Sequence, residues 1–169
     1  VDVILDLSEK KKEEVLSHIE NEDYANDLSD LLKYEENTAG SMMATELIKV
    51  NENWNTLECL KKMRKQAEYV KKVHTIYVVD NNNKLLGTMS LKRLLISNKD
   101  TKVRDIINSD VYYVKTDTST EEIANLMNKY DLIILPVVNE NQELLGRITI
   151  DDVVDVVKEE AEKDYQMAS

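Results

Sequence analysis

An internal repeat constrains this chain more than any other feature of its sequence. The segment YVVDNNNKLLGTMSLKRLL at 77–95 returns 59 residues later as PVVNENQELLGRITIDDVV at 136–154, with six of 19 aligned positions identical. A repeat of this length indicates one supersecondary unit used twice. The copies differ at their ends, because the basic pair Lys92–Arg93 stands where the second copy has the acidic pair Asp151–Asp152.

The composition narrows the class of protein. The 169 residues are 42% hydrophobic, with no Phe and one Trp, so the predicted core is aliphatic. The single Cys59 permits no internal disulfide and favours a reducing compartment. No stretch approaches the ~20 apolar residues that span a bilayer. The net charge of −11 makes nucleic acid a poor partner. Without an initiator Met, the chain is expected to be a piece of a longer protein.

Periodicity predicts the same order of elements, β-α-β-β-α, in both copies. In copy one the strands are 47–50, 74–79 and 85–90, and the helices run from Asn55 or Thr56 to Glu68 and over 91–97. In copy two the strands are 111–114, 132–138 and 144–149, and the helices are 121–130, capped by Thr120, and a last one from Ile150 to about Asp164. Two short amphipathic helices are predicted within 8–35. Pro136 predicts a short or edge strand, and Cys59 is placed on an inward helix face.

This doubled unit, with VVD or VVN followed by L-x-G-x-[ST], resembles a pair of CBS domains. The resemblance implies an α/β (α+β) fold in which the units pack about a pseudo-twofold axis. The segments YEENTAGSMMATELIKV at 34–50 and KYDLIILPVVNENQELLGRITIDDVVDVVKEEAEKD at 129–164 are similar to the cytosolic region of MgtE-type magnesium transporters. That implies the end of a truncated helical N-domain at 1–38, a first CBS domain at 39–100 and a second, with an acidic helix, at 101–164.

Acidic side chains crowd the last predicted helix. They are Asp151, Asp152, Asp155, Glu159, Glu160, Glu162 and Asp164. Helical spacing places Asp152, Asp155 and Glu159 on one face. A solvated acidic helix is one interpretation, and a site for a hard divalent cation, which prefers oxygen ligands, is the other. The basic pair in copy one favours the cation, because it shows that the fold does not require acids at this position.

The family resemblance implies which carboxylates bind magnesium. They are Glu121, Asp131, Asp152, Asp155, Glu160 and Asp164, in several weak sites, although Lys163 stands where the family often has an acid. Magnesium bound there would relieve carboxylate repulsion, draw the domains together and close the pore. The resemblance further implies a homodimer formed through the CBS pair, attached to its own transmembrane domain at the cytoplasmic face of the cell membrane.

Adenine nucleotide is the second ligand that the resemblance implies, since CBS clefts often hold ATP. A [ST]-x-x-D motif there places a hydroxyl near phosphate and an Asp on the ribose. Copy two matches with Thr149 to Asp152, whereas copy one, Ser90 to Arg93, lacks the Asp. The cleft implied by the family is formed by Lys92, Leu132, Pro136 and Thr149.

Three functions remain open on the sequence. The first is a magnesium sensor of a transporter, the second a nucleotide-binding regulatory module of another transporter or enzyme, and the third a structural dimerisation module. Neither His18 nor His74 stands in a residue pattern that is suggestive of catalysis. No catalytic residue is assigned, and the chain is expected not to be an enzyme.

Overall fold

The computed structural model describes residues 34–72 and 75–168. The helices predicted within 8–35 therefore lie almost wholly outside the described residues, as do His18 and His74. Twelve elements follow one another in the described part: α1 Ala39–Met42, β1 Ile48–Asn51, α2 Thr56–Ala67, β2 Ile76–Val79, β3 Leu85–Met89, α3 Leu91–Ile96, α4 Val103–Ile106, β4 Val114–Lys115, α5 Thr120–Lys129, β5 Ile134–Val138, β6 Leu144–Thr149 and α6 Ile150–Ala168.

The strands form two sheets of the same topology, ordered β1-β2-β3 and β4-β5-β6. In each sheet the first two strands pair in parallel and the last two antiparallel. The helix between the first two strands supplies the crossover that parallel pairing requires. The predicted α/β fold of two repeated units is confirmed. We call residues of the first sheet and its helices unit one, and those of the second unit two.

Side chains alternate between the two faces of a strand, so neighbouring residues of β2 belong to different hydrophobic cores. Ile76 and Val78 of β2 pack with the helices of unit one, whereas Tyr77 and Val79 face the cluster between the sheets. Cys59 belongs to the helix side and is fully buried, as predicted. Burial raises the pKa of its thiol to about 11, so the described structure gives it the character of a small apolar residue.

The two hairpin turns meet in a symmetric pair of hydrogen bonds. The Leu85 N–H donates to the Gln142 carbonyl at 3.0 Å, and the Leu144 N–H donates to the Asn83 carbonyl at 3.0 Å. Asn83 and Gln142 are equivalent in the repeat, and both have left-handed φ values, 65° and 66°. The reciprocal bonds relate the units as a pseudo-twofold axis would.

The core of each unit contains residues from the segment that precedes the other unit in the chain. Ala39 and Met43, which come before unit one in the chain, are buried in the core of unit two. Val103 of α4, which comes before unit two, is buried in the core of unit one. The domain limits 39–100 and 101–164 stay a prediction, but packing crosses them in both directions.

Two equivalent glycines permit this exchange. A β-carbon on Gly87 would lie 2.2 Å from the carbonyl oxygen of Asn108, and one on Gly146 would lie 2.6 Å from that of Ala44. Both carbonyls belong to exchanged segments, which bridge to the neighbouring strand residues of β3 and β6. The glycines are therefore needed for close backbone approach.

The start of unit two differs from the prediction in two respects. The strand expected at 111–114 is reduced to Val114–Lys115, and Tyr112 instead stacks on Tyr130, with ring centroids 4.4 Å apart. Tyr130, which follows the end of α5, is exposed. The cap of α5 is Ser119, whose Oγ accepts from the Glu122 N–H at 3.2 Å, and not Thr120, whose side chain is buried beside Met42.

Pro136 lies in β5, which is short but is the central strand of its sheet. Of the two alternatives that the sequence predicted, the short strand is observed and the edge position is not. Pairing with β4 begins at Val137, one residue beyond the proline, so a very short β4 leaves Pro136 outside that ladder. The last helix is longer than predicted and ends at Ala168. Within the described residues, no helix combines the length and the apolar character that crossing a membrane requires.

Candidate metal and ligand sites

The predicted magnesium ligands lie on two helices of unit two that pack against each other, α5 and α6. Glu121 is in the first turn of α5 and Asp131 follows its end, while Asp152, Asp155, Glu160 and Asp164 are on α6. The side chains of Glu121, Asp131 and Asp155 are exposed, and those of Asp152 and Glu160 are half-buried. The side chain of Asp164 lies outside the described part of the structure.

These carboxylates do not converge on one point. Among the described residues, no three His, Cys, Asp or Glu side chains lie close enough together to hold a metal ion. A cation bound by one or two of them would take most of its ligands from water, as Mg²⁺ commonly does. The arrangement can attract cations to a surface, but it does not form a closed cage in this part of the molecule.

Asp131 also has a structural role at the end of α5. Its φ of 52° is left-handed, and the following Leu132 N–H donates to the Met127 carbonyl at 2.9 Å. This bond is the one that closes a Schellman motif, in which a left-handed residue ends the helix. The backbone at Asp131 is therefore fixed by the helix end, with its carboxylate left in solvent.

Asp152 forms a reciprocal cap with Thr149 at the start of α6. The Thr149 hydroxyl donates to Asp152 Oδ2 at 2.9 Å, and the Thr149 backbone N–H donates to the same oxygen at 3.2 Å. In return the Asp152 N–H donates to the Thr149 hydroxyl at 3.4 Å. This is the geometry of a capping box, which satisfies backbone donors at a helix start.

Unit one has only half of this cap. Ser90 Oγ accepts from the Arg93 N–H at 3.4 Å, but a guanidinium cannot accept a bond in return. The helix cap therefore explains part of the difference between Arg93 and Asp152, because only Asp152 can complete it. The exposed acids Asp151 and Asp155, which have no such role in the described contacts, distinguish the copies more clearly.

The four residues predicted for a nucleotide cleft are spread over both units. Lys92 is exposed on α3 of unit one, and Leu132 is half-buried after α5 in unit two. Pro136 is buried and pairs with Arg147, while Thr149 caps α6. None of the four lines the cleft that the structure forms in unit one.

That cleft is open to solvent and has a volume of about 630 Å³. It lies where β3 passes into α3, beside the segment that follows α4. Its walls are Thr75, Ile76, Thr88, Met89, Ser90, Leu91, Arg93, Ile106, Ile107 and Asn108. The sequence indicated Ser90 and Arg93 through the repeat, but it gave no sign of Thr75, Thr88 and Asn108, which the exchanged segment brings together.

The hydroxyl of Tyr77 is the one buried side-chain polar group without a hydrogen bond among the residues described. Tyr77 is 1% exposed, and burial raises its pKa to about 12, opposed by the nearby Arg147 and Thr75. It lies in the cluster between the sheets with Val79 and Leu144. The other described side chains of this cluster are aliphatic, so we assign the Tyr77 hydroxyl no chemistry.

Comparison with known proteins identifies relatives that share this fold. A model of the CBS domain matches residues 39–98 and 103–159. The magnesium transporter MgtE of Thermus thermophilus is 42% identical over 134 residues, which are 79% of this chain and 30% of that protein. The soluble part of a magnesium transporter superposes with a TM-score of 0.83 at 32% identity, covering 95% of this chain and 62% of that structure.

A second solved structure, the cytosolic domain of the Mg²⁺ channel MgtE in complex with ATP, has a TM-score of 0.71 at 32% identity. It is matched over 92% of this chain and 78% of its own length. The chain spans less than a third of the transporter from Thermus thermophilus that it matches. The chain therefore belongs to the CBS-domain family, as a tandem pair homologous to the cytosolic part of MgtE magnesium transporters.

Proposed function

We propose that this chain is a magnesium-sensing regulatory region of an MgtE-type magnesium transporter. One observation carries the proposal: the terminal helix of unit two exposes Asp151 and Asp155 where the equivalent helix of unit one exposes Lys92 and Ile96. The net charge of −11 adds a background field that attracts cations. Similarity to magnesium transporters supports Mg²⁺ as the cation.

The mechanism is electrostatic. Two carboxylates about 6 Å apart repel by roughly 3 kcal/mol at an effective dielectric constant near 20. Acids of α5 and α6 that face acids of another domain hold the two surfaces apart. Mg²⁺ between them removes the repulsion, so a rise in its concentration shifts the population towards the closed arrangement and closes the pore. Several weak sites suit an abundant ion, and the open arrangement of Glu121, Asp131 and Asp155 agrees with them.

The same proposal includes a homodimer, a membrane partner and no enzymatic activity. Leu95 of α3 and Val154 of α6 are equivalent in the repeat and are 64% and 41% exposed. Leu91 and Val157 extend these apolar faces, which a second copy of the chain would cover. The pair then acts at the cytoplasmic face of the cell membrane on the transmembrane domain of its own protein.

A magnesium titration at constant ionic strength tests this function. We expect millimolar Mg²⁺ to raise the melting temperature and the resistance to proteolysis, because the ion binds the folded, compact state. Asp155→Asn should weaken this response at least threefold in midpoint concentration. Asp117→Asn is the matched control, since Asp117 is also exposed but lies in the loop before α5. An unchanged melting temperature, or equal effects of the two variants, would contradict the proposal.

Adenine nucleotide binding is the second candidate. It is supported by the similarity to an MgtE cytosolic domain in complex with ATP and by the hydroxyl and carboxylate that Thr149 and Asp152 hold together in unit two. ATP added in the presence of EDTA should then raise the melting temperature, and Asp152→Asn should reduce the effect. A response to ATP with none to Mg²⁺ would favour this candidate, and a response to neither would leave a structural dimerisation module.

A further inference from the structure

The outer surface of α2 and the residues just after it are positively charged, although the chain is acidic. Between 61 and 72 the sequence has six cations and one acid, Glu68, which is a net charge of +5 in a chain whose net charge is −11. All six cationic side chains are exposed, and we call them the α2 basic surface: Lys61, Lys62, Arg64, Lys65, Lys71 and Lys72. Such a concentration of one sign creates a local field opposite to that of the whole chain.

Helical geometry places the cations of α2 away from the core. Met63 is on the buried side of the helix. At about 100° per residue, Lys61 and Lys65 lie roughly 160° from Met63, and Lys62 and Arg64 flank them on either side. The four cations therefore cover the whole outer face of the helix, and no acid lies between them in the sequence.

The fold does not require these charges, because the equivalent helix of unit two, α5, lacks most of them. The buried positions of the two helices correspond one to one: Thr56, Cys59 and Met63 in α2, and Thr120, Ile123 and Met127 in α5. In this register, uncharged residues replace three of the four cations: Asn125, Leu126 and Asn128. The basic surface is thus specific to unit one, and packing does not explain it.

A longer connection in unit one extends the basic surface. The residues between α2 and β2 are 68–75, whereas those between α5 and β5 are only 130–133. The longer connection contains Lys71, Lys72 and the ring of Tyr69, which is 79% exposed. Tyrosine has an apolar body and a polar tip, and it is enriched where lipid meets water.

The outer face of a helix suits a broad anionic surface better than a small ligand, because it offers charges without a pocket. A bilayer with anionic headgroups is such a surface, and each Lys or Arg close to it raises the partition coefficient roughly fivefold. Acids elsewhere on the chain oppose this attraction. The Debye length is about 8 Å at physiological ionic strength, so distant acids are largely screened while cations in contact are not.

We propose that the α2 basic surface docks on the anionic phospholipids of a membrane, with Tyr69 at the level of the headgroups. The inference rests on the proposed place of this chain at the cytoplasmic face of the cell membrane. The same headgroups repel the acidic helix α6, so the contact orients unit one towards the bilayer. The docking requires no magnesium, and a test in EDTA therefore separates its failure from failure of the magnesium proposal.

Flotation of the full 169-residue chain with lipid vesicles in EDTA is the first test. We expect at least tenfold more binding to phosphatidylcholine vesicles that contain about 30% phosphatidylserine than to vesicles of phosphatidylcholine alone. Binding should fall at least fivefold as NaCl rises from about 0.05 to about 0.5 M, because the attraction is electrostatic. Equal binding to the two kinds of vesicle would overturn the proposal.

A double variant, Lys61→Gln with Lys65→Gln, should weaken binding to the anionic vesicles at least tenfold. Its melting temperature should match that of the unmodified chain, since both side chains are exposed. The matched control is Lys158→Gln with Lys163→Gln, which removes the same charge from exposed positions of α6. The control should keep its binding within twofold, and an equal loss in the two double variants would contradict the proposal.

Lipids with a nitroxide on the headgroup locate the contact. They should broaden the amide signals of 61–72 and leave those of α5 unchanged, and broadening of α5 without α2 would overturn the proposal. The double variant at Lys61 and Lys65 also identifies other partners. If it changes self-association or RNA binding while the unmodified chain ignores the vesicles, the surface belongs to a second copy or to nucleic acid, and the proposal is wrong.

Discussion

Thr149 and Asp152 hold each other at the start of α6, with the hydroxyl donating to the carboxylate at 2.9 Å and the Asp152 N–H donating back at 3.4 Å. The residue that is most attractive as a metal or ribose ligand is thus also part of a helix cap. A substitution at Asp152 tests binding and stability together. The two effects must be measured separately, and a substitution at the neighbouring Asp155 provides the comparison.

Asp152→Asn should lower the free energy of unfolding by about 1 kcal/mol, because the amide is a weaker acceptor for the two Thr149 donors. Asp155→Asn should change it by less than about 0.5 kcal/mol, since Asp155 is exposed and lies beyond the first turn. Urea unfolding in EDTA measures both. Equal stabilities would show that the cap contributes nothing, and any loss of magnesium response in Asp152→Asn would then be a binding effect.

Arg93→Gln should raise the free energy of unfolding by about 0.5 kcal/mol. A Gln three residues after Ser90 completes the capping box that unit one lacks. Thermal unfolding without ligand is the measurement, and Lys92→Gln, one residue earlier on α3, is the control that cannot close the box. A melting temperature below that of the unmodified chain would contradict the prediction.

Tyr77→Phe should stabilise the chain by about 1 kcal/mol or leave it unchanged. The Tyr77 hydroxyl is buried without a hydrogen bond among the described residues, and removing such a group removes its desolvation cost. Tyr113→Phe is the comparison, because the Tyr113 hydroxyl accepts from Gln142 Nε2 at 3.0 Å on the surface. A loss of more than about 1 kcal/mol for Tyr77→Phe in urea unfolding would reveal a partner such as a bound water.

Gly87→Ala should destabilise the chain by roughly 1–3 kcal/mol or more, as overpacking does. The added methyl would lie 2.2 Å from the Asn108 carbonyl oxygen, which is backbone and cannot rotate away. Gly146→Ala, at 2.6 Å from the Ala44 carbonyl oxygen, should have a similar effect. Hydrogen exchange of the Thr88 and Asn108 amides checks the cause, since they should lose protection first in Gly87→Ala.

Stability should fall in alkaline solution from about pH 9. Burial raises the pKa of Cys59 from 9.0 to about 11, and that of Tyr77 from 10.0 to about 12. Above the lower value the unfolded chain loses the proton while the folded chain keeps it, so unfolding is favoured as the pH rises. The Cys59 contribution is roughly 2 kcal/mol between pH 9 and 11. Urea unfolding of Cys59→Ala should show a smaller decrease over this interval.

Local signals in the sequence predicted the local structure well. The Asn55 side chain accepts from the Glu58 N–H and begins α2, and the apolar alternation placed β2 and β3 within two residues of their observed limits. Adjacent hydroxyls could not be told apart, however: Ser119 and Thr120 both suit a cap, and only the buried surroundings of Thr120 decide between them. The aromatic run at 111–114 predicted a strand because its stacking partner, Tyr130, is remote in the chain.

The candidate sites were less accessible to the sequence, because they depend on how distant segments meet. The repeat drew attention to Asp152 and Arg93, but it could not show that Asp152 is held by Thr149. Nor could it bring Asn108 beside Thr88, a contact made by a segment that precedes the other unit. The carboxylates assigned to magnesium by resemblance stay a prediction.

The exchange of α1 and α4 between the units bears on how such a protein arose. A single ancestral unit would begin with a segment that does not pack in its own core. It would also lack the segment that fills that core. Two such chains could fill both cores only as a domain-swapped dimer, in which each chain supplies its leading segment to the core of the other. Gene duplication and fusion would then have joined the two chains of this dimer, so that the exchange of segments now takes place within one polypeptide.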